Sequence, residues 1–226
     1  HGYSLSHAVL LHLCVRDLSC FSHLNSVYCK YFRQNPPARV CVQVCLPQDV
    51  AVEIDCLAYR DCRPDEGMES APVPRHTMHV QSISHWAPAN VGPYSQAVQI
   101  GDQIFTAGNL SLCPSTMRPI EGGIAPQCAL LLRSLERALS AMQEGVSLRD
   151  VIAGVCYVTD VAHIQTAKGY WDHRLKAQED SCVYVARRMQ CYVVVPRLPK
   201  DVLVEWQVVA SPSSQSWQHY SRTVTG

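Results

Sequence analysis

A chain of 226 residues with 47% hydrophobic and 17% charged side chains is long enough for one large or two modest domains, each with a core. Nineteen basic residues balance nineteen acidic ones, which removes the net field that would draw in nucleic acid or an anionic membrane, and no Lys/Arg-rich run supplies a local one. The longest apolar run, Val151 to Val158, is too short to span a bilayer, and Ala8 to Leu11 lacks the basic flank of a signal peptide. The sequence therefore reads as cytoplasmic, with no membrane partner.

Twelve cysteines include no CxxC pair, and Cys41 and Cys45, two strand steps apart, suit small buried hydrophobes. Reduced structural thiols are expected. The ten histidines are scattered without zinc-ligand spacing, so no metal site is expected. The chain begins at His1 rather than a methionine and enters an apolar run almost at once, which reads as a fragment.

In chain order, Ala8 to Val15 suits a buried strand, and Ser19 is a candidate N-cap for a helix carrying Phe21, Leu24, Tyr28 and Phe32 at helical spacing. Pro36-Pro37 stops it. Val40 to Cys45 and Val50 to Asp55 alternate with period two around Leu46-Pro47-Gln48-Asp49 and read as adjacent strands. Prolines, Gly67 and charges without periodicity mark residues 61–77 as a linker. Beyond it come a strand over His79 to His85, a loop over Pro88 to Pro93, and strand segments from Ala97 to Leu112 broken at Gly101-Asp102. An amphipathic helix runs from Pro126 to Glu144, its stripe formed by Cys128, Leu131, Leu132, Leu135, Leu139 and Met142. Asp150 to Val158 reads as a strand, Ala162 to Leu175 as a helix, and Val183 to Pro196 and Val202 to Ala210 as two more strands.

An internal repeat organises these elements. Leu46-Pro47-Gln48-Asp49-Val50-Ala51-Val52-Glu53 matches Leu198-Pro199-Lys200-Asp201-Val202-Leu203-Val204-Glu205 at an offset of 152 (198 − 46), and Cys14-Val15-Arg16-Asp17 matches Tyr157-Val158-Thr159-Asp160 at 143 (157 − 14). Nothing before the first copy corresponds to His79 to Asp150. Residues 1–60 are thus the second half of one domain, 78–211 a complete domain, and 212–226 a tail.

The repeats resemble the RidA family, also called YjgF or L-PSP endoribonuclease. The resemblance rests on Ala87-Pro88-Ala89-Asn90-Val91-Gly92-Pro93-Tyr94-Ser95-Gln96-Ala97, on Ile104 to Leu110, and on the Leu198-Pro199-Lys200-Asp201 turn with Val204-Glu205; in the first copy it rests on Asn25-Ser26-Val27-Tyr28, Pro37-Ala38-Arg39-Val40-Cys41-Val42 and Val52-Glu53. It implies an α+β, chorismate-mutase-like fold, a mixed sheet packed by two helices, and ligand clefts between neighbours in a trimeric or pseudo-trimeric ring. It also implies that Arg39 grips the carboxylate of an enamine or imine in a planar two-point contact, with Asn25, Glu53 and the Cys41 backbone beside it, while Tyr94, Gly108 and Glu205 supply half-sites from the second copy. Read from the residues alone, Arg39 suits equally a structural arginine paired with a carboxylate such as Glu53, and Trp86, Trp171 and Trp206 suit packing.

Departures from the family pattern fall in the second copy. The position matching Arg39 is Cys191 at the 152 offset, or Gln190 at the spacing usual in the family; Lys168 stands where Asn25 does, and Ala107 replaces a serine. Arg187 and Arg188 alternate faces on a strand. An Arg39–Tyr94 cleft built from both copies is the arrangement left open.

The tandem resembles the C-terminal region of eukaryotic diphthine-ammonia ligases, which implies ATP-dependent amidation of diphthine on elongation factor 2. No Gly-rich phosphate loop occurs here, and Gly122-Gly123 lacks the pattern; ATP is expected only in a domain outside this chain. Three readings of function stand: an accessory module of such a ligase, preferred for the tandem; an enamine/imine deaminase; and an RNA-binding or RNA-cleaving protein, which the charge balance disfavours.

Overall fold

A computed structural model describes residues 2–60, 73–176 and 189–212. Most of the 61–77 linker, Arg187, Arg188 and the tail beyond Pro212 lie outside the described residues.

The first unit comprises β1 (Ala8–Val15), α1 (Phe21–Tyr31), β2 (Ala38–Gln43) and β3 (Val52–Ala58). Asp17 starts the helical segment, its carboxylate accepting the Ser19 amide at 2.8 Å. Phe21, Leu24, Tyr28 and Phe32 then pack onto Leu11, Leu13 and Val15 of β1. Because the helix returns the chain for a parallel pairing of β2 with β1, β3 joins the other edge, giving the order β2-β1-β3. The two period-two runs are therefore not neighbours, since β1 separates them. Cys41 is buried as expected, whereas Cys45 lies past the end of β2 and is exposed.

The second unit contains β4 (Arg75–Met78), β5 (Ala97–Ile100), β6 (Gln103–Thr106), β7 (Asn109–Leu110), α2 (Ile124–Met142), β8 (Val151–Val158), α3 (His163–Lys176), β9 (Gln190–Val194) and β10 (Val204–Ala210). Its sheet runs β4-β5-β6-β10-β8-β9, with β7 also on β10. Arg75–Met78, read as the end of the linker, is a strand because its backbone pairs with β5, and the expected strand over residues 79–85 is irregular chain. The α2 stripe is as the periodicity requires: Cys128, Leu131, Leu132, Leu135 and Leu139 have no exposed surface. Each such leucine contributes about 2 kcal/mol. Trp171 of α3 stacks on Trp206 of β10 with centroids 5.0 Å apart.

The repeat is visible in the pairing: β9-β8-β10 reproduces β2-β1-β3, parallel then antiparallel. The two copies differ on their outer side. Trp206 is fully buried, but its counterpart Ile54 is 58% exposed, because β10 is flanked by β6 and β7 whereas β3 has only β1 beside it among the described residues.

The first unit docks on the second through the free edge of β2. Ala38 bridges Ser95 in parallel and Gln43 bridges Arg197; Ser95 donates its amide to the Pro37 carbonyl at 3.1 Å and its hydroxyl to the Pro36 carbonyl at 2.6 Å. Val9, Leu10 and Ala38 share a cluster with Tyr94, Val98 and Phe105, so the junction is continuous core. Ser95→Ala should lower stability by about 1–2 kcal/mol, the cost of leaving the Pro36 carbonyl unsatisfied. Urea unfolding checks this, and an unchanged midpoint would contradict it.

Candidate functional site

Arg39 is the second residue of β2, opposite Leu11, and is 2% exposed. Its guanidinium carbon lies 4.9 Å from the centroid of Tyr28, 5.6 Å from that of Phe21 and 4.8 Å from that of Tyr94. The first two rings come from α1 and the third from the second unit, so the cation sits in an aromatic cage closed by the docking. No protein acceptor reaches Nε, Nη1 or Nη2, and the Oδ1 of Asn25 and the hydroxyl of Tyr28 are likewise without partners. Gly92 brings the backbone of the opening motif against this cluster: a Cβ there would stand 2.6 Å from Arg39 Nη2 and 3.0 Å from Asn25 Oδ1. Only glycine fits.

Glu205 enters from β10, where it opposes Tyr157 on β8 and Leu110 on β7, and is 2% exposed. It accepts the backbone N–H of Cys41, while its Oε2 has no partner. Burial pushes its carboxyl up to about 8, outweighing the Cys41 amide and the Arg39 charge, which act downward. Burial also raises the Tyr94 phenol and the Cys41 thiol, each to about 12. Cys41 is therefore a packed thiol rather than a nucleophile. Gly108 lies so close to Glu205 that a Cβ would stand 1.7 Å from Oε1, and its amide donates to the Arg39 carbonyl at 3.1 Å. Phe21, Arg39, Cys41, Tyr94, Gly108 and Glu205, with Val91, Leu110 and Pro199, line a narrow cleft whose free interior is ≈ 10 Å³, room for about one water before the side chains part.

At neutral pH this cleft holds a cation with free donors beside a carboxyl kept protonated by burial. Such a pair receives an anion: the planar N–H fork fits a carboxylate, and the protonated Glu205 adds a donor instead of a repelling charge. The same shift has a consequence for folding. The Glu205 carboxyl titrates near 4.5 when unfolded and near 8 when folded, so the folded state holds the proton more tightly and stability falls as pH rises through that window. Glu205→Gln, which cannot ionise, should gain on the wild type by on the order of 4 kcal/mol between pH 5 and pH 9. Urea midpoints that stay parallel across that range would contradict this.

The structure thus brings together Arg39, Asn25, Cys41, Tyr94, Gly108 and Glu205, but not Glu53. Glu53 lies exposed on β3, on the far side of β1 from Arg39. Its period-two setting implied a buried strand, yet β3 lacks the outer neighbours that bury its counterpart Glu205. The register also settles which second-copy residue matches Arg39. Gly154, 143 residues after Leu11, opposes Gln190 as Leu11 opposes Arg39. Gln190 Oε1 accepts the Trp206 indole N–H at 3.0 Å, so this side chain is engaged within its own unit. Lys168, the counterpart of Asn25 at the 143 offset, is exposed on α3. Sequence reasoning missed Phe21 and Tyr28 as cage residues, having assigned both to the apolar face of α1, and missed Gly92, whose signal was its place in the opening motif.

Among the described residues no group of three His, Cys, Asp or Glu side chains could hold a metal ion, and no helix is long and apolar enough to cross a membrane.

The family described as Endoribonuclease L-PSP matches residues 1–60 and 84–211. Among curated proteins, the chain is 31% identical over 95% of its length to a diphthine-ammonia ligase of Schizosaccharomyces pombe and 27% identical over 89% to that of Saccharomyces cerevisiae. It spans about a third of each of these relatives, 32% and 31% respectively. A putative reactive intermediate deaminase, TdcF of Escherichia coli, is 32% identical over 57% of the chain and 93% of its own. The solved structure of E. coli TdcF with bound serine superposes with a TM-score of 0.51 at 25% identity, covering 64% of this chain and all of that one. The E. coli YjgF gene product gives the same score at 24% identity over 61% of the chain and 99% of its own, a likeness of fold.

Proposed function

The chain belongs to the L-PSP endoribonuclease (RidA) family, and from that premise we propose that it is the RidA-like module of a diphthine-ammonia ligase, with a cleft between its units that binds a small planar carboxylate. The observation carrying the cleft is Arg39: a buried guanidinium with unsatisfied donors, facing Tyr94 and Glu205 from the other unit. Leaving so many buried donors unpaired costs several kcal/mol, which a bound carboxylate offsets. The ligase assignment is supported by the two fungal relatives, whose similarity runs across both units and the junction. In the full protein the module would serve assembly, regulation or docking of elongation factor 2, with self-association in the ring-like manner that the docking of β2 suggests.

The glycine pair before α2, Gly122-Gly123, is not suited to ATP, which ligase chemistry requires. It leads into a first turn with no basic side chain, and a Cβ on Gly122 would already meet the Pro126 ring at 3.0 Å. We assign the nucleotide to the portion of the longer relatives outside this stretch.

A second reading, enamine/imine hydrolysis, is favoured by the completeness of the cleft. Arg39 would orient the carboxylate of a 2-imino acid; water adds to the C=N carbon, the C–N bond breaks, and ammonia leaves with the 2-oxo acid as the other product. Glu205, neutral below about pH 8, would hand a proton to the departing nitrogen and recover one from the attacking water. Hydrolysis of freshly generated 2-iminopropionate by the wild type and by Arg39→Ala tests both readings. Activity lost on substitution establishes the second; carboxylate binding without turnover leaves the accessory module; absence of both binding and turnover overturns the cleft.

A further inference from the structure

A separate cavity lies where the two units meet at the N-terminal end of β2, and it shares no lining residue with the Arg39 cleft. Its free interior of ≈ 420 Å³ is in the range of small-ligand pockets. One wall is the first unit, formed by Leu5 and the chain leaving α1 from Tyr31 to Asn35. The other is β4, where Arg75 and Thr77, two residues apart, share a face of the strand. Arg75 spans the junction: Nη1 and Nη2 donate to the carbonyls of Ser6 at 2.6 Å and Ala8 at 2.8 Å, while Nε is buried with no partner. Arg33 follows the C-terminus of α1, where a cation complements the helix dipole, yet it has no carboxylate partner among the described residues. No described acidic side chain lines the cavity. Two guanidinium groups thus face one open space without a counter-charge, beside the rings of Phe32 and of Tyr31, which is 63% exposed.

We propose that this cavity binds a small phosphate monoester carried on a flat ring, and that the ligand bridges the two units. A planar carboxylate is satisfied by the fork of one guanidinium. A phosphate presents three terminal oxygens in different directions and carries close to two negative charges at pH 7, so it can meet Arg33 from one wall and Arg75 from the other. The Thr77 hydroxyl and the carboxamides of Gln34 and Asn35 supply further donors around it. The ring of the ligand then lies against Tyr31 and Phe32, covering aromatic surface that is otherwise open. Because the two cations belong to different units, the ligand recognises only the docked arrangement and favours it by mass action. The grip is through side chains, so no glycine-rich loop is needed, and the inference is independent of the Arg39 cleft.

Calorimetric titration of the full chain with phenyl phosphate, AMP and inorganic phosphate tests this. The tighter of the two esters should bind about tenfold more tightly than inorganic phosphate, and it tells an aryl phosphate from a mononucleotide as the ligand. Arg39→Met should leave this binding unchanged, which separates the site from the cleft. Arg33→Gln should weaken it by about tenfold through loss of a charge-assisted hydrogen bond. Tyr31→Ala, at an exposed ring whose loss the fold tolerates, should bring the tighter ester down to the level of inorganic phosphate. Binding that disappears in Arg39→Met, or that Arg33→Gln leaves unchanged, would place the anion elsewhere and overturn the site. Inorganic phosphate binding as tightly as both esters, or no binding by any of the three, would overturn it equally.

Discussion

Arg39→Met is expected to abolish binding of small carboxylates while leaving the protein as stable as the wild type or more so, by up to about 2 kcal/mol. Arg39 is buried at 2% exposure, and none of its three nitrogens finds a protein acceptor. Desolvating such a cation costs several kcal/mol, and its contacts with Phe21, Tyr28 and Tyr94 return roughly 0.5–2 kcal/mol each. Methionine fills similar volume, contacts the same rings through its sulfur, and carries no charge to desolvate. A structural arginine would behave in the opposite way, since removing one partner of a satisfied buried pair costs about 3–5 kcal/mol. Thermal unfolding separates the two cases: a chain of this size shifts by about 2–4 °C per kcal/mol, so a fall of some 10 °C would mark Arg39 as a structural element.

Gly108→Ala carries the largest expected cost to folding. The new Cβ would stand 1.7 Å from Glu205 Oε1 and 2.6 Å from its Cδ, and neither side has an easy retreat. The Gly108 amide is held to the Arg39 carbonyl, and Glu205 is buried in β10 with the Cys41 N–H on its carboxylate. Overpacking of this kind, with displacement of a buried carboxyl, is expected to cost about 3 kcal/mol and to remove ligand binding. Truncating Glu205 relieves the clash, so Gly108→Ala with Glu205→Ala should be more stable than the sum of the single losses predicts, by about 1–3 kcal/mol. Additive losses would show that strain at Gly108 lies elsewhere.

The elements that sequence made legible are those whose period and punctuation agree. The α2 stripe and the α1 helix with its apolar face follow from apolar spacing, whereas the N-cap is Asp17 rather than Ser19, which lies inside the first turn and donates its amide to the Asp17 carboxylate. Failures occurred where long-range pairing decides. Arg75–Met78 has no apolar alternation and is a strand only because β5 supplies its partners, and β2 and β3 follow one another in the chain but are separated by β1, whose pairing no local pattern encodes. Glu53 and Glu205 share the same local sequence, Leu-Pro-x-Asp-Val followed by Val-Glu, yet one is exposed and the other buried because only β10 has β6 and β7 beside it. The cleft was half legible. The residues matching the family motif named Arg39, Tyr94, Gly108 and Glu205, but the docking that assembles them, and the cage roles of Phe21 and Tyr28, required the fold.

The most direct test of the composite cleft is calorimetric titration of the wild type and Arg39→Met with pyruvate at pH 7. One site per chain, present in the wild type and absent in the variant, is the predicted result, because only β2 carries an arginine at this position and Gln190 occupies its counterpart in β9. Unchanged binding by the variant, or two equivalent sites per chain, would contradict a carboxylate cleft built from Arg39 of one unit and Glu205 of the other.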